Sequence, residues 1–359
     1  MSSDPLLDLL RELVEIESPT YSPGVRVVAE RMAAELEAFG AHVSLDGGGH
    51  LLAELDGEGE PLLVLGHTDT VWPEGTLATM PFRIEGDRAR GPGTYDMKAC
   101  LVQLLEAVRL AGPPRRALRV FLTADEEQGS RTGRPLIESA AKGVAAALVV
   151  EPTTPSGDLK TSRKGLGRFR LTVTGRPAHA GNNRKDGVSA IEELAHQVLA
   201  MHALNDDGTG LSFNVGVVHG GTSENVVAAS AEAQIDVRVR STADLERAER
   251  ALAELKPALA GATLAISGGW TRPPLERSPG SARLFAKARE HGHALGLDLK
   301  EGSSGGGSDG NLVGALGVPV LDGLGVEGAG AHAVDEHVLL PSLPVRARLL
   351  ARLFEDPGV

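Results

Sequence analysis

The side chains of this chain that could do chemistry are five carboxylates and two histidines, most of which follow a run of apolar residues. They are His67, Asp69, Asp96, Glu126, Glu127, Glu151 and His332. Left buried and unpaired, such charges would cost several kcal/mol each, and two divalent cations would compensate them. Imidazole nitrogen and carboxylate oxygen, without thiolate, suit Zn²⁺, with Co²⁺ or Mn²⁺ as alternatives. The residue types therefore predict a two-metal hydrolytic centre.

Buried strands of a sheet are predicted to position most of these residues. The run Leu62–Leu65 is typical of a buried strand, and a glycine ends it directly before His67. Two later apolar runs, residues 118–122 and 145–150, end shortly before acidic residues of the set. Because ligands bind at the carboxyl ends of strands in open α/β sheets, we expect these strand ends to meet at one edge.

The order of elements predicts two domains of different class. Strands that alternate with helices predict an α/β fold with a mostly parallel sheet flanked by helices. From about residue 164 the pattern becomes strand, helix, strand, strand, helix, strand, which is typical of a ferredoxin-like α+β domain. We therefore expect a catalytic domain made of residues 1–163 and 275–359, and an inserted domain made of residues 164–274.

Composition excludes several classes of protein. The net charge of −12 argues against nucleic acid or an anionic membrane surface as the main partner. The single cysteine, Cys100, excludes an internal disulfide framework and a cysteine-based zinc finger. No apolar run approaches the ~20 residues of a membrane span, and the first residues lack the basic and apolar regions of a signal peptide. We expect a cytoplasmic protein.

Six short motifs carry a family resemblance. They are Gly66-His67-Thr68-Asp69, Gly93-Thr94-Tyr95-Asp96-Met97-Lys98, Asp125-Glu126-Glu127-Gln128-Gly129-Ser130, Glu151-Pro152-Thr153, Ala178-His179-Ala180-Gly181 and Ala331-His332. In this order and spacing they resemble the dizinc aminoacylase and carboxypeptidase family, which includes glutamate carboxypeptidase, acetylornithine deacetylase and succinyl-diaminopimelate desuccinylase. The resemblance covers nearly the whole chain. The sequence differs from the family at Ala99-Cys100, where two glycines are common, and at His337, where an aromatic residue is common.

The resemblance implies a role for each residue of the predicted metal centre. It implies two zinc ions per subunit and five ligands: His67 and Glu151 for one ion, Glu127 and His332 for the other, and Asp96 as the bridge. Glu126 would be the general base, and an exchange of roles with Glu127 remains an alternative. Asp69 would orient His67. The peptide bond between Asp96 and the next residue would be cis.

The resemblance also implies that the inserted domain is a lid and a homodimer interface. His179 would stabilise the oxyanion in the active site of its own or of the partner subunit. Asn225, Arg238, Gly306 and Gly307 would bind the substrate. Arg suits this task because its planar guanidinium bonds a carboxylate through two donors.

The activity implied by the resemblance is hydrolysis of the amide bond of an N-acyl amino acid or small peptide that has a free carboxylate. Glutamate carboxypeptidase is the most similar member, through its glycine-rich loop and the segment Gly328–His332. Two alternatives remain open: an N-acetyl- or N-succinyl-amino acid deacylase, and a non-catalytic, zinc-stabilised dimeric binding protein. Glu126 speaks against the second alternative, because a binding protein needs no base.

Overall fold

A computed structural model of the protein describes residues 4–113 and 115–359. The helices are α1 (Pro5–Glu15), α2 (Pro23–Ala38), α3 (Ala99–Ala111), α4 (Arg134–Ala140), α5 (Ala190–His202), α6 (Thr242–Ala253), α7 (Pro279–His293), α8 (Asp309–Gly314) and α9 (Ser342–Glu355). The strands are β1 (His42–Leu45), β2 (Leu51–Leu55), β3 (Glu58–His67), β4 (Arg83–Glu85), β5 (Arg88–Arg90), β6 (Arg116–Thr123), β7 (Ala146–Val149), β8 (Leu159–Arg163), β9 (Gly165–Thr174), β10 (Ser212–Gly220), β11 (Ser230–Val239), β12 (Thr263–Arg272), β13 (Glu301–Ser304), β14 (Val320–Leu321), β15 (Gly328–Ala329) and β16 (His337–Leu339). The first three residues, part of the segment in which no signal peptide is predicted, lie outside the described residues.

The described residues form two compact units. One unit contains the chain up to Arg163 together with Leu275–Ser304 and Ser308–Val359. The other contains Lys164–Pro274 and the short glycine segment Gly305–Gly307. Within the described part of the chain, no helix is both long and apolar enough to cross a membrane.

A six-stranded sheet in the order β1-β2-β6-β3-β7-β14 forms the centre of the first unit. Strands β6, β3, β7 and β14 run parallel, and β1 and β2 are antiparallel additions at one edge. Leu62 and Val64 of β3 pack into one apolar cluster, whereas Leu63 and Leu65 pack into another. Because successive side chains of a strand point to opposite faces, the sheet is buried on both faces. The predicted α/β fold with a largely parallel sheet flanked by helices is confirmed.

The register of this sheet brings the predicted strand ends together. Val64 of β3 pairs with Val120 of β6 on one side and with Leu148 of β7 on the other. The three strands therefore end at the same level, and the residues that follow them share one edge of the sheet. The expectation drawn from the apolar runs is confirmed.

A small second sheet of the first unit is absent from the sequence prediction. Its strands have the order β15-β16-β5-β4, and His337 of β16 pairs with Arg90 of β5. The segment after β5 leads to Asp96, and the loop between β15 and β16 contains His332. The pairing of these short strands therefore aligns two loops that are more than two hundred residues apart in sequence.

The second unit is a four-stranded antiparallel sheet in the order β10-β11-β9-β12, with helices α5 and α6. The alternation of residues 231–240 is reflected in their burial, since Ala233, Ile235 and Val237 are buried in one apolar cluster. Leu194 of α5 and Leu252 of α6 pack into the same cluster. The order of strands and helices is that of a ferredoxin-like split βαβ unit.

Candidate metal centre

One group of three side chains lies at the ends of β3 and β7, beside the segment before α3. His67 Nε2 is 3.2 Å from Asp96 Oδ1 and 3.5 Å from Glu151 Oε1. His67 is almost completely buried, and Glu151 is largely so. All three residues offer a ligand atom within 4.8 Å of the other two, a separation at which one cation could contact all of them.

A second group shares Asp96 with the first. His332 Nε2 is 3.3 Å from Asp96 Oδ2 and 3.3 Å from Glu127 Oε1. The two oxygens of Asp96 therefore face two different histidines, which is the arrangement that a bridging carboxylate requires. The side chain of His332 is 49% exposed, so the second group is open to solvent on one side.

The backbone around Asp96 is irregular. Asp96 and Met97 have non-helical dihedral angles inside the short turn Thr94–Lys98, and the peptide bond between them is cis. The expectation of a cis bond is confirmed. The sequence predicts a helix from Met97, whereas α3 begins at Ala99. The helical ladder starts two residues late because the backbone of Asp96 and Met97 leaves the helical region.

Asp69 has a larger role in the local structure than the sequence indicates. Its backbone oxygen lies 2.9 Å from His67 Nδ1, and its carboxylate Oδ1 lies 3.3 Å from the same nitrogen. The carboxylate also accepts hydrogen bonds from the backbone amides of Glu126 and Glu127, at 3.2 Å each. Thr20 Oγ1 donates a third hydrogen bond, at 2.6 Å. Asp69 thus holds both the imidazole of His67 and the turn that carries the two glutamates.

Burial and mutual proximity shift the pKa values of these groups. The pKa values of the two histidines and of Glu127 are raised, and that of Asp96 is lowered. Burial alone lowers the pKa of His67, but the carboxylates of Asp69, Asp96 and Glu151 outweigh it and raise that pKa well above its usual value. The nearby carboxylates of Asp96 and Glu127 raise the pKa of His332 to about 10. Burial raises the pKa of Asp96, but the two histidines outweigh it and lower that pKa strongly. Burial raises the pKa of Glu127 to about 6, against the opposing effect of His332.

The donor set fits two divalent cations. Glu127 Oε1 is buried and accepts no hydrogen bond of good geometry from the described residues, although His332 Nε2 lies nearby. A buried carboxylate oxygen is stable only with a compensating charge or donor. Two imidazole nitrogens and three carboxylates without thiolate are ligands that Zn²⁺ accepts. The residues present are therefore compatible with a two-metal site.

Arg163 and Asp322 are part of the site and were not identified from the sequence. The buried guanidinium of Arg163 donates to Asp322 through Nε at 2.8 Å and through Nη2 at 2.6 Å. Nη2 also lies 3.4 Å from Glu151 Oε2, the oxygen that does not face His67. Asp322 is 159 residues away from Arg163 in sequence, so no local motif could have connected them. Glu336, in the loop between β15 and β16, accepts hydrogen bonds from the distant amides of Tyr95 and Asp96 and could not be identified for the same reason.

The remaining predicted residues, His179, Asn225, Arg238, Gly306 and Gly307, belong to the second unit. His179 is exposed, and its Nδ1 accepts hydrogen bonds from the amides of Gly181 and Asn182, at 3.1 Å each. In the neutral imidazole the proton is therefore assigned to Nε2. The backbone oxygen of Asn225 accepts a hydrogen bond from Ala180.

Arg238 already has partners within the second unit. Its Nε and Nη2 bond the two carboxylate oxygens of Asp236 at 2.6 and 3.0 Å, and its Nη1 donates to the backbone oxygen of Gly305 at 3.1 Å. A substrate carboxylate would have to share this guanidinium with Asp236. The bidentate contact expected from the sequence is thus made to a residue of the protein itself.

Comparison with known proteins shows the family to which the chain belongs. The model of peptidase family M20/M25/M40 matches residues 63–356. Carboxypeptidase G2 of a Pseudomonas species (strain RS-16) is 32% identical, over 98% of this chain and 89% of the relative. A succinyl-diaminopimelate desuccinylase of Thioalkalivibrio sulfidiphilus is 28% identical, over 96% of each chain.

A solved structure with similar architecture is that of aminopeptidase PepT from Bacillus cereus, with a TM-score of 0.84 and 21% identity over 99% of this chain and 98% of that one. At this identity the likeness concerns the fold. The family match, however, includes every residue of the two histidine–carboxylate groups. The chain belongs to peptidase family M20/M25/M40 and is a metal-dependent hydrolase.

Proposed function

We propose that the protein hydrolyses the amide bond of an N-acyl amino acid or small peptide with a free carboxylate, in the manner of a glutamate carboxypeptidase. The observation that carries the proposal is the position of Asp96, whose two oxygens each lie within 3.3 Å of a different histidine. Carboxypeptidase G2, at 32% identity, supports the carboxypeptidase version of the reaction.

In this proposal five residues hold two Zn²⁺ ions, with Co²⁺ or Mn²⁺ as alternatives. The ligands are His67 and Glu151 for one ion, Glu127 and His332 for the other, and Asp96 between them. When bound, the ions would polarise the scissile carbonyl and lower the pKa of a water molecule. Arg163 restrains the outer oxygen of Glu151, so that its other oxygen stays directed at His67.

Glu126 is the proposed general base. Its neighbour Glu127 has its carboxylate 3.3 Å from His332, which supports Glu127 as the ligand of the pair and Glu126 as the base. Glu126 would accept a proton from the attacking water and pass it to the leaving amine. The backbone of the turn that carries both glutamates is held by Asp69, which accepts hydrogen bonds from both of their amides.

The second unit would supply substrate contacts. The proton assigned to His179 Nε2 makes this imidazole a donor, as stabilisation of an oxyanion requires. Asn225 and Arg238 are the proposed contacts of the substrate carboxylate, and Gly306 and Gly307 belong to the loop that is proposed to line the substrate pocket. Because Asp236 occupies two donors of Arg238, we propose that Nη1 is the donor most readily exchanged from Gly305 to a substrate.

The same unit is the proposed homodimer interface. β10 is an edge strand of its sheet, and its Val217 and Val218 are exposed. Leu199 of α5 is 70% exposed. Exposed apolar residues beside an unpaired strand edge favour association with another strand.

A deacylase is the second candidate function, because a succinyl-diaminopimelate desuccinylase is 28% identical over 96% of the chain. Both reactions break an amide bond next to a carboxylate and need the same centre. They differ in which fragment is recognised, and a substrate panel separates them.

The test combines one variant with that panel. Amino-acid release is measured from glutamyl peptides, N-acyl glutamates, and acetyl or succinyl basic amino acids, with added Zn²⁺ and with a chelator. We expect metal-dependent release from the glutamyl compounds. For Glu126→Gln we expect retained Zn²⁺ and a fall in kcat of about 10²–10⁴-fold, whereas the surface variant Glu30→Gln serves as a control.

Each other outcome has a defined meaning. Unaltered turnover in Glu126→Gln would contradict the role of the base. Release only from acetylated or succinylated basic amino acids would favour the deacylase. Absence of release from every compound, with two metals bound, would contradict the proposed substrate class.

A further inference from the structure

Glu336 is a buried carboxylate that has no place among the ligands. It lies in the loop between β15 and β16, four residues after His332, and its side chain is inaccessible to solvent. Its Oε1 accepts hydrogen bonds from the amides of Tyr95 and Asp96, at 2.9 and 3.0 Å. Its Oε2 accepts one from the amide of Gly93 at 2.9 Å and one from Trp72 Nε1 at 2.7 Å.

Three of these four donors are backbone amides of the segment that ends in Asp96. Gly93 has a φ of 70° and Asp96 a φ of −116°, so this segment does not follow helical geometry. Buried amides that lack a partner are costly, and almost all of them are paired in folded proteins. Glu336 is the partner of three such amides, and it fixes the direction in which the chain enters Asp96.

The same residue connects two ligand-bearing loops. His332 and Glu336 share the loop between β15 and β16, and Asp96 follows β5, which pairs with β16. A displacement of either loop therefore changes the distance between Asp96 Oδ2 and His332 Nε2, which is 3.3 Å. Hydrogen bonds from a fixed carboxylate restrict that displacement.

We infer that Glu336 is a positioning residue of the metal centre, which holds the backbone of Asp96 so that each of its carboxylate oxygens faces its own histidine. This inference rests on the proposed function only through the roles of Asp96 and His332 as ligands. Groups that orient ligands from outside the coordination sphere typically change metal affinity by 10- to 100-fold when they are removed.

A matched control is available in the second unit. Glu193 is also fully buried, and it accepts hydrogen bonds from the amides of Ala258 and Leu259 and from Gln197 Nε2, at 3.1, 2.6 and 2.6 Å. It therefore has a similar structural role to that of Glu336, but it contacts no proposed ligand. Replacement of either glutamate by Gln introduces an NH₂ group among donors, and it should reduce stability in both cases.

The experiment measures Zn²⁺ affinity of the full-length protein by competition with a chromophoric chelator, after removal of bound metal by dialysis. We expect Glu336→Gln to bind at least one of two Zn²⁺ ions about 10- to 100-fold more weakly than the unaltered protein. We expect Glu193→Gln to keep the Zn²⁺ affinity of the unaltered protein. Urea unfolding of both variants measures the structural effect separately.

Equal Zn²⁺ affinity in Glu336→Gln and the unaltered protein would overturn the inference and leave the proposed function intact. Equal loss of affinity in Glu193→Gln would overturn it too, because the effect would then follow from lower stability alone. If Glu336→Gln does not fold, Glu336→Asp is measured instead, with the same expected and overturning results, since it keeps the charge but is one methylene shorter. Failure of the unaltered protein to bind Zn²⁺ would overturn both proposals.

Discussion

Asp69→Asn separates two roles that the structure assigns to one residue. The backbone oxygen of Asp69, 2.9 Å from His67 Nδ1, is unchanged by this substitution. The carboxylate, in contrast, accepts the amides of Glu126 and Glu127 at 3.2 Å each, one on each oxygen. Asn keeps one oxygen and places an NH₂ group against the other amide. We therefore expect His67 to stay in place and the glutamate turn to be displaced.

The size of the effect follows from the bonds that are lost. A hydrogen bond to a charged group contributes about 1.5–3 kcal/mol, and Asn loses one such bond. If that loss is felt entirely in the transition state, at ~1.36 kcal/mol for each factor of ten, kcat falls by roughly 10- to 150-fold. Because the glutamate turn carries the proposed base and a proposed ligand, we expect a much smaller change in KM.

The assay is kcat and KM with the best substrate of the panel, together with the Zn²⁺ stoichiometry of the same preparation. Asp46→Asn is the control, since Asp46 accepts two backbone amides at 2.8 Å in a turn between β1 and β2. Unchanged kcat in Asp69→Asn would refute the reasoning. A loss of kcat that is fully explained by loss of one Zn²⁺ ion would show instead that the carboxylate acts through a proposed ligand, His67 or Glu127, and not through the base.

Two further predictions concern protons and assembly. The pKa of His332 is raised to about 10, so its imidazole is protonated near pH 8 without metal, and the pKa of His67 is raised as well. Because Zn²⁺ binds neutral imidazole, we expect at least one proton to be released per subunit at that pH. Calorimetric titration in buffers of different ionisation enthalpy measures this number, and a value near zero would contradict the ligand assignment. Leu199→Arg in α5 is expected to shift the protein towards monomer in sedimentation equilibrium, whereas Leu316→Arg, at a position that is 51% exposed in the first unit, is not; equal behaviour of both variants would contradict the proposed interface.

The strand ends could be predicted because a buried strand appears in the sequence as an uninterrupted run of apolar residues. A strand covered on both faces must be apolar at every position, so the residue that breaks the run, such as His67, stands out. The same reasoning selects Glu126, Glu127 and Glu151 as candidate site residues. His332 has no such strand before it, and its predicted role as a ligand follows from the family resemblance.

Other parts of the site could not be predicted because they depend on contacts between distant segments. Glu336 stands in Asp335-Glu336-His337, a sequence typical of a solvated loop, yet it is fully buried. Its burial follows from the pairing of β16 with β5, two strands of three residues each. Strands this short carry no periodicity that could be recognised. The local sequence likewise does not indicate that Gly305–Gly307 belongs to the second unit.

The glycines at two positions of the motifs are explained by the little room that neighbouring atoms leave for a side chain there. A Cβ at Gly66 would lie 3.1 Å from Met97 Cε and 3.2 Å from Val150 Cγ2, residues next to the ligands Asp96 and Glu151 proposed here. A Cβ at Gly93 would lie 2.4 Å from Thr70 Cγ2, and the φ of 70° at Gly93 favours glycine independently. Both glycines thus let ligand-bearing segments approach one another closely. A short motif such as Gly-His-Thr-Asp is therefore informative because it meets two requirements at once. The histidine offers a metal ligand, and the glycine before it lets neighbouring segments pack closely against the backbone.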